Sequence, residues 1–256
     1  MEALLTARSL SKRFGELLVF EELSFSVGKG EFVTLLGPSG CGKSTILHIL
    51  SGLLAPDRGR VYLQGRDVTG QTGRVSYMQQ KDLLLPWRRI IDNVALPLRI
   101  QGMSRQRARR EAAPHFAEFG LEGFEYCYPA QLSGGMRQRA ALLRTYLFSR
   151  EVLLLDEPFA RLDEITKRRL HVWFLQVLER LEGTVFLVTH DIEEALKLSD
   201  RIHVLSGRPA VMLEEIDLRG VPRGAVRGAR ADAELRERIL SLLEEGERAV
   251  GAAHSR

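Results

Sequence analysis

The residues best suited to chemistry form a glycine-rich string between an apolar run and a helical pattern. GPSGCGKST, at 37–45, has the spacing G-x-x-x-x-G-K-[ST]. Its glycines let backbone N–H groups surround phosphate oxygens, and the N-terminus of the following helix adds a positive end. Lysine supplies a point charge, and the serine hydroxyl is a ligand for Mg²⁺. The string predicts a nucleotide-phosphate site made of Gly37, Pro38, Ser39, Gly40, Cys41, Gly42, Lys43, Ser44 and Thr45.

Two adjacent acids end a second apolar run, VLLLDE at 152–157. Ligands of open parallel sheets bind at the carboxyl ends of the strands, which is where these acids would lie. Asp156 is therefore predicted to hold Mg²⁺, and Glu157 to act as general base on the attacking water. An apolar run ending in a charged turn is common, so the phosphate string is what favours this interpretation.

A third string, LSGGMRQR at 132–139, precedes a predicted helix at 136–149. Ser133 is a suitable N-cap, and Gly134 and Gly135 leave backbone amides exposed as a second anion-binding terminus. The octet resembles the signature sequence of ABC transporter ATPases, and the motifs follow that family's order over about residues 4–207. Cys41 is interpreted as a spacer in the phosphate string and not as a nucleophile.

The resemblance implies binding of ATP and Mg²⁺ by two subunits packed head to tail, each signature closing on the ATP held by its partner. Gln80 resembles the glutamine that contacts Mg²⁺ and the reacting water, with Gln79 as the alternative register. His190 resembles the histidine that contacts the γ-phosphate, and Phe14 the aromatic that stacks on adenine. Each has an ordinary alternative, as a solvated strand-end histidine and a core phenylalanine.

One departure from the family lies in ARLD, at 160–163. Arg161 stands where a small residue is commoner, which leaves the local contacts open. Asp163 still fits the loop that crosses the dimer interface in the family.

The segment LLLPWRRIIDNVALPL at 83–98 resembles the importer ATPases for nitrate, sulfonate, taurine and thiamine precursors. That resemblance implies transmembrane permease subunits as partners, an extracytoplasmic solute-binding protein indirectly, and a peripheral place on the cytoplasmic face of the membrane. Trp87 is expected to anchor the permease, the alternative being that it packs inside the helical lobe. The transported solute cannot be read from this chain.

The sequence disfavours two other functions. A soluble ABC ATPase acting on nucleic acid or ribosomes would need a second cassette or a long coiled-coil insertion, and neither is present. The arginine-rich stretch 105–110 lacks aromatic interleaving, so no nucleic-acid partner is expected. A regulatory module that does not hydrolyse ATP would be expected to lose Glu157 or His190, and both are present.

The 256 residues are 45% hydrophobic and 27% charged, with a formal charge of +4, an ordinary globular balance. Cys41 and Cys127 show no CxxC spacing, which favours a reducing compartment. No signal peptide is apparent, and no run approaches the ~18 apolar residues of a membrane span. A protein that is soluble on its own is therefore expected.

The pattern of strands and helices around these motifs predicts an α/β fold of the P-loop NTPase type. It has a parallel sheet core, an N-terminal antiparallel β region and an inserted α-helical subdomain. The predicted parts are a first core segment (1–81), a helical subdomain (82–150), a second core segment (151–218) and a basic linker with an amphipathic helix (219–256). A helical stretch is predicted at 44–53, and the pattern from about 82 to 150 is helical and arginine-rich, as in residues 104–120. The last helix should bury Leu235, Ile239, Leu242 and Leu243, with Asp232 as its N-cap.

Overall fold

The computed structural model describes residues 3–149, 151–160, 163–181, 183–220, 223 and 229–254. The chain divides into two compact units, one of residues 1–74 with 184–256 and one of residues 75–183. The described strands are β1 (Ala3–Phe14), β2 (Leu17–Gly28), β3 (Phe32–Leu36), β4 (Arg58–Leu63), β5 (Arg66–Asp67), β6 (Ser76–Met78), β7 (Val152–Asp156), β8 (Thr184–Thr189), β9 (Arg201–Leu205) and β10 (Met212–Asp217). The described helices are α1 (Lys43–Leu50), α2 (Ile90–Val94), α3 (Leu96–Ile100), α4 (Arg105–Ala112), α5 (His115–Glu118), α6 (Gly134–Phe148), α7 (Glu164–Leu181), α8 (Ile192–Leu198) and α9 (Ala229–His254).

The first unit contains the predicted antiparallel region. Its strands lie in the order β2-β1-β4-β5, and each neighbouring pair is antiparallel. Leu5, Ala7 and Leu10 of β1 are buried, because this sheet has one face in the core. The antiparallel region predicted from the sequence is confirmed.

Parallel strands carry the motifs in both units. In the first, β3 pairs in parallel with β8 and with β9, while β10 is antiparallel to β9. Every residue of β3 and of β8 is buried, as apolar strands covered on both faces should be. In the second, β6 pairs in parallel with β7, which is also buried throughout. The α/β class with parallel strands is confirmed.

The helical pattern at 104–120 forms two helices in the second unit, since α4 ends at Ala112 and α5 begins at His115. Pro114 lies between them, and its ring and missing N–H do not allow an uninterrupted helix. Ser104 caps α4 by accepting a hydrogen bond from the Arg107 amide at 3.3 Å.

Two further helix boundaries differ. The predicted helix at 44–53 ends at Leu50, because Gly52 has a φ of +77° and turns the chain. Asp232 is not an N-cap, since α9 begins at Ala229 and places it in the first turn. The apolar face of α9 is as expected: Ile239 is fully buried, and Leu235, Leu242 and Leu243 pack beside it. The four-part division of the chain stays a prediction, and Arg161 lies outside the described residues.

Candidate functional site

The glycine-rich string forms the turn between β3 and α1. Gly42 directly precedes α1 with a φ of +113°, a conformation that side chains other than glycine rarely adopt. A Cβ at this position would lie 2.5 Å from Cγ1 of Val19. Backbone conformation and space therefore both require glycine here, and the turn delivers the chain directly into the N-terminus of α1.

Lys43 is the first residue of α1 and is only 5% exposed. Its ammonium donates hydrogen bonds of 2.8 Å to the carbonyls of Gly37 and Pro38, so its charge lies beside the backbone of the turn.

Cys41 is buried, and burial raises the pKa of its thiol. A neutral, buried thiol is a poor nucleophile, which supports its interpretation as a spacer.

Ser39, Gly40 and Ser44 are exposed and Thr45 is half-buried, so the turn and the start of α1 present backbone amides and a hydroxyl to solvent. These are the groups that phosphate and Mg²⁺ bind.

Phe14 and His190 belong to the same compact unit. Phe14 ends β1 and is 49% exposed, with the Lys12 ammonium 5.3 Å from its ring centroid. It is therefore not a core residue. His190 is exposed and directly follows β8. The next residue, Asp191, caps α8 by accepting from the amides of Glu193 and Glu194, which fixes the turn that carries His190.

The two carboxylates lie at the C-terminal end of β7, in the second unit. Asp156 is 6% exposed, and the Tyr77 hydroxyl donates to its Oδ2 at 3.2 Å. Burial is the main cause that raises the pKa of Tyr77, with the Asp156 charge next, so the phenol stays a donor. The parallel register, with Tyr77 opposite Leu154 and Met78 opposite Leu155, brings the residues after β6 toward these acids.

Glu157 is half-buried and has a φ of +45°, in the left-handed region. Such a backbone in a residue other than glycine is strained, and strain of this kind clusters at functional sites. The Gln80 amide donates to Oε2 of Glu157 at 3.0 Å. The Gln138 amide donates to the carbonyl of the next residue, Pro158. Two glutamines thus fix this turn, and the Gln80 contact favours Gln80 over Gln79.

The signature string begins α6. Ser133 caps the helix, its hydroxyl accepting from the Met136 amide at 3.3 Å. Gly134 and Gly135 form the first turn, and a Cβ on Gly135 would lie 3.1 Å from the Thr166 side chain of α7. The uncovered amides of this turn lie at the positive end of a 15-residue helix, a ready anion site.

Each unit carries oxygen donors of the kind that Mg²⁺ binds. Ser44 of the first unit offers an exposed hydroxyl, and in the second unit Asp156 offers a buried carboxylate and Gln80 an amide oxygen. Among the described residues, no group of three or more His, Cys, Asp and Glu side chains could hold a metal ion. Mg²⁺ in nucleotide sites does not need one, because it keeps waters and shares phosphate oxygens.

A surface groove of about 330 Å³ lies in the second unit beside the segment 83–98. Trp87 lines it and is 71% exposed, so the alternative that this residue packs inside the helical lobe is wrong. The side chain of Asn93 is fully buried. Its oxygen accepts from the Leu85 amide, and its nitrogen donates to the carbonyls of Leu85, Arg88 and Arg89 at 2.6–3.2 Å. One side chain thereby holds the loop that displays Trp87.

Sequence reasoning missed three of these residues: Tyr77, Gln138 and Asn93. Tyr77 is separated from the acids by 79 positions, and only the pairing of β6 with β7 brings them together. Gln138 lies within the signature octet, but nothing in the sequence indicates its contact with the Pro158 carbonyl. Asn93 carried one signal, a polar residue at an apolar position of IIDNVALPL.

The model of the family described as ABC transporter matches residues 20–160, more than half of the chain. The chain belongs to the ABC transporter family. This ABC ATPase is 48% identical over 200 residues to the formylaminopyrimidine import ATP-binding protein of Halalkalibacterium halodurans, covering 78% of each chain. It is 39% identical over 249 residues to the taurine import ATP-binding protein of Pseudomonas aeruginosa, covering 94% of this chain and 95% of that one.

Solved structures give the same assignment. An ATP-binding cassette solved as a dimer after hydrolysis, with ADP and phosphate bound, superimposes with a TM-score of 0.72 at 29% identity. The match covers 85% of this chain and all of that one. This ABC protein is thus an ATPase of the kind found in import systems. Among its described residues, no helix is long and apolar enough to cross a bilayer.

Proposed function

We propose that this ABC ATPase powers import of a small solute through a membrane permease, by closing as a head-to-tail dimer on ATP. The solute classes are those named for its relatives, a formylaminopyrimidine, taurine or another sulfonate, together with nitrate, which the resemblance of residues 83–98 adds. The observation that carries the proposal is its similarity, at 48% and 39% identity, to two ATP-binding proteins named for import. The exposed Trp87 loop supports a docking surface for the permease.

In the proposed reaction, Lys43 and the amides of residues 37–45 hold the β- and γ-phosphates, with Phe14 stacked on adenine. Ser44, Asp156 and Gln80 would hold Mg²⁺, which neutralises phosphate charge when bound. Glu157 accepts a proton from water, whose oxygen bonds to the γ-phosphorus while the bond to the β-phosphate oxygen breaks. His190 contacts the γ-phosphate. Ser133, Gly134 and Gly135 stabilise the same phosphate in the partner's site.

The hydrogen bond between Gln80 and Glu157 supports this assignment of the base. An amide that donates to one carboxylate oxygen fixes the side chain's rotamer. The contact therefore holds the Glu157 carboxylate in one orientation, as the proposed base requires.

The arginine-rich stretch argues against the alternative of a nucleic-acid partner. Arg105 and Arg109 both make two hydrogen bonds to the Asp92 carboxylate. The hydrogen bonds from Arg109, which have the larger effect, and from Arg105 lower the pKa of Asp92 well below its usual range. These guanidinium groups are therefore occupied in joining α4 to α2, and they are not a row of charges available for a phosphate backbone.

A pull-down from membranes tests the proposal. A tagged chain should co-purify a permease, and Trp87→Ala should lose it while the isolated subunit keeps its ATPase activity within about threefold, since interface anchors act on binding. Leu240→Ala is the control, because Leu240 is an exposed apolar residue on α9, in the other compact unit. Equal permease recovery with Trp87→Ala and wild type would contradict the docking role. No permease with wild type would contradict the import function.

A further inference from the structure

Arg144 of α6 contacts the backbone of the loop that precedes Trp87. The Arg144 guanidinium donates to the carbonyl of Leu83 at 2.7 Å and to the carbonyl of Asp82. Leu83 has a φ of +47°, which lies in the left-handed region that residues other than glycine rarely adopt. One of these two carbonyls therefore belongs to a residue with an unfavourable backbone conformation. A planar guanidinium has two parallel N–H groups that can reach successive carbonyls, which an ammonium cannot do with fixed geometry.

A second contact joins the same two segments. The Arg137 Nε lies 3.4 Å from Oδ2 of Asp82, and the Arg137 Nη1 donates to the Leu132 carbonyl at 2.7 Å. The other oxygen of Asp82 accepts from the Leu84 amide at 3.1 Å. Residues 82–84 are thus bound to α6 at two positions, 137 and 144, which lie on the same face of the helix about two turns apart.

The two ends of α6 have different contacts. Its N-terminus is capped by Ser133 and begins with Gly134 and Gly135. Arg144 lies 11 residues further on, roughly 16 Å along a rigid helix at 1.5 Å per residue. A force on the N-terminus therefore reaches Arg144 as a movement of the whole helix, since helices transmit displacement without much compression.

We propose that Arg144 is a positioning residue that couples the signature helix to the permease-docking loop. When Ser133, Gly134 and Gly135 engage the partner's γ-phosphate, α6 moves as a unit, and Arg144 carries the carbonyls of Asp82 and Leu83 with it. Asn93 holds residues 85–89 as one clamped loop, so the displacement of 82–83 reaches Trp87. This inference rests on the proposed dimer and adds the residue that connects its closure to the membrane partner.

Hydrogen exchange of the loop amides tests the role of Arg144. The Leu84, Leu85 and Arg88 amides each donate within this segment, so their exchange reports its opening. In a Glu157→Gln background with ATP and Mg²⁺, dimer closure should change their exchange at least about threefold relative to the nucleotide-free chain. Adding Arg144→Lys should abolish that change while ATP affinity and dimer mass stay as before.

The control is Arg139→Lys on the same helix, whose guanidinium lies 4.7 Å from the ring centroid of Trp173. It should retain the nucleotide-dependent change. A purely structural Arg144 would alter exchange equally with and without ATP, and that result would overturn the inference, as would an undiminished response in Arg144→Lys. If Arg144→Lys fails to fold, Asp82→Asn, which weakens the Arg137 contact, should at least halve the response, and an undiminished one would overturn the inference. A Glu157→Gln chain that stays monomeric would overturn the proposed function, and with it the inference.

Discussion

The candidate hydrolytic residues have partners that fix their orientation. Asp156 is buried, and a buried carboxylate without a hydrogen bond is costly, so the hydrogen bond from the Tyr77 hydroxyl stabilises it. Glu157 is fixed by Gln80 in a backbone conformation that is itself strained. The roles proposed for Asp156 and Glu157 therefore depend on these neighbours as well as on the acids themselves.

Replacing Tyr77 by Phe should raise the Mg²⁺ requirement of the ATPase. Loss of one hydrogen bond to a charged group costs about 1.5 kcal/mol, so we expect half-maximal activity at roughly tenfold higher free Mg²⁺. Maximal turnover should change little, since Tyr77 does not touch the reacting atoms. Steady-state ATPase assays over a Mg²⁺ titration measure this, with Tyr62→Phe as the control. An unchanged Mg²⁺ profile would show that Tyr77 does not orient Asp156.

A buried histidine should make the free energy of unfolding depend on pH. His203, on β9, is 1% exposed, and burial lowers its pKa to about 4 although Glu215 lies 3.4 Å away. Arg201 and Glu31 are the other charged groups beside it. The unfolded pKa is about 6.5, so the folded state requires neutral histidine. Its stabilising contribution is complete above pH 6.5 and falls as pH drops toward 4.

Urea unfolding at pH 7 and pH 4.5 compares wild type with His203→Gln, which cannot titrate. Wild type should lose roughly 2–3 kcal/mol more than the variant over this interval. Equal losses in the two proteins would mean that His203 does not titrate in this interval.

The elements explain which parts of this fold the sequence could predict. The phosphate turn, β7 and α6 were predictable because their motifs impose a strand, a turn and a helix start within a few residues. The break at Pro114 was overlooked, since the charge pattern of 104–112 was extended past a residue that ends a helix. β9 and β10 were not predicted as strands, because their register depends on β3, far away in the sequence.

The candidate site was predictable at the level of motifs and not of contacts. Gln80 could be proposed from a resemblance, but its hydrogen bond to Glu157 arises from the pairing of β6 with β7. The carbonyl contacts of Arg144 and the clamp formed by Asn93 involve backbone groups, which no side-chain pattern reveals.

The C-terminal helix gives a prediction at the element scale. Ile239 of α9 is fully buried against Leu36, Leu196 and Ile202 of the first unit. Ile239→Ala should lower the free energy of unfolding by about 2–4 kcal/mol, through lost transfer energy and a cavity. Urea denaturation measures this, and Leu240→Ala, on the exposed face, should change it by less than about 0.5 kcal/mol. A small effect at Ile239 would show that α9 is not part of the folded core.

For the whole molecule, we propose that the motifs act together in one ATP-dependent assembly. Phe14, the phosphate turn and His190 belong to the first unit, and Gln80, Asp156, Glu157 and the signature turn belong to the second. In this proposal the signature turn is a second phosphate-binding terminus in addition to the phosphate turn. The proposed head-to-tail dimer accounts for both, since each ATP would then meet one phosphate turn and one signature turn.

Light scattering of the Glu157→Gln chain with ATP and Mg²⁺ tests this assembly most directly. The glutamine can orient water but cannot accept its proton, so ATP should persist and the chain should scatter at twice its monomer mass. Adding Ser133→Arg should return it to the monomer mass with ATP affinity unchanged, because the signature meets only the partner's nucleotide. A Glu157→Gln chain that remains monomeric with saturating ATP, or a dimer that Ser133→Arg leaves intact, would contradict the account.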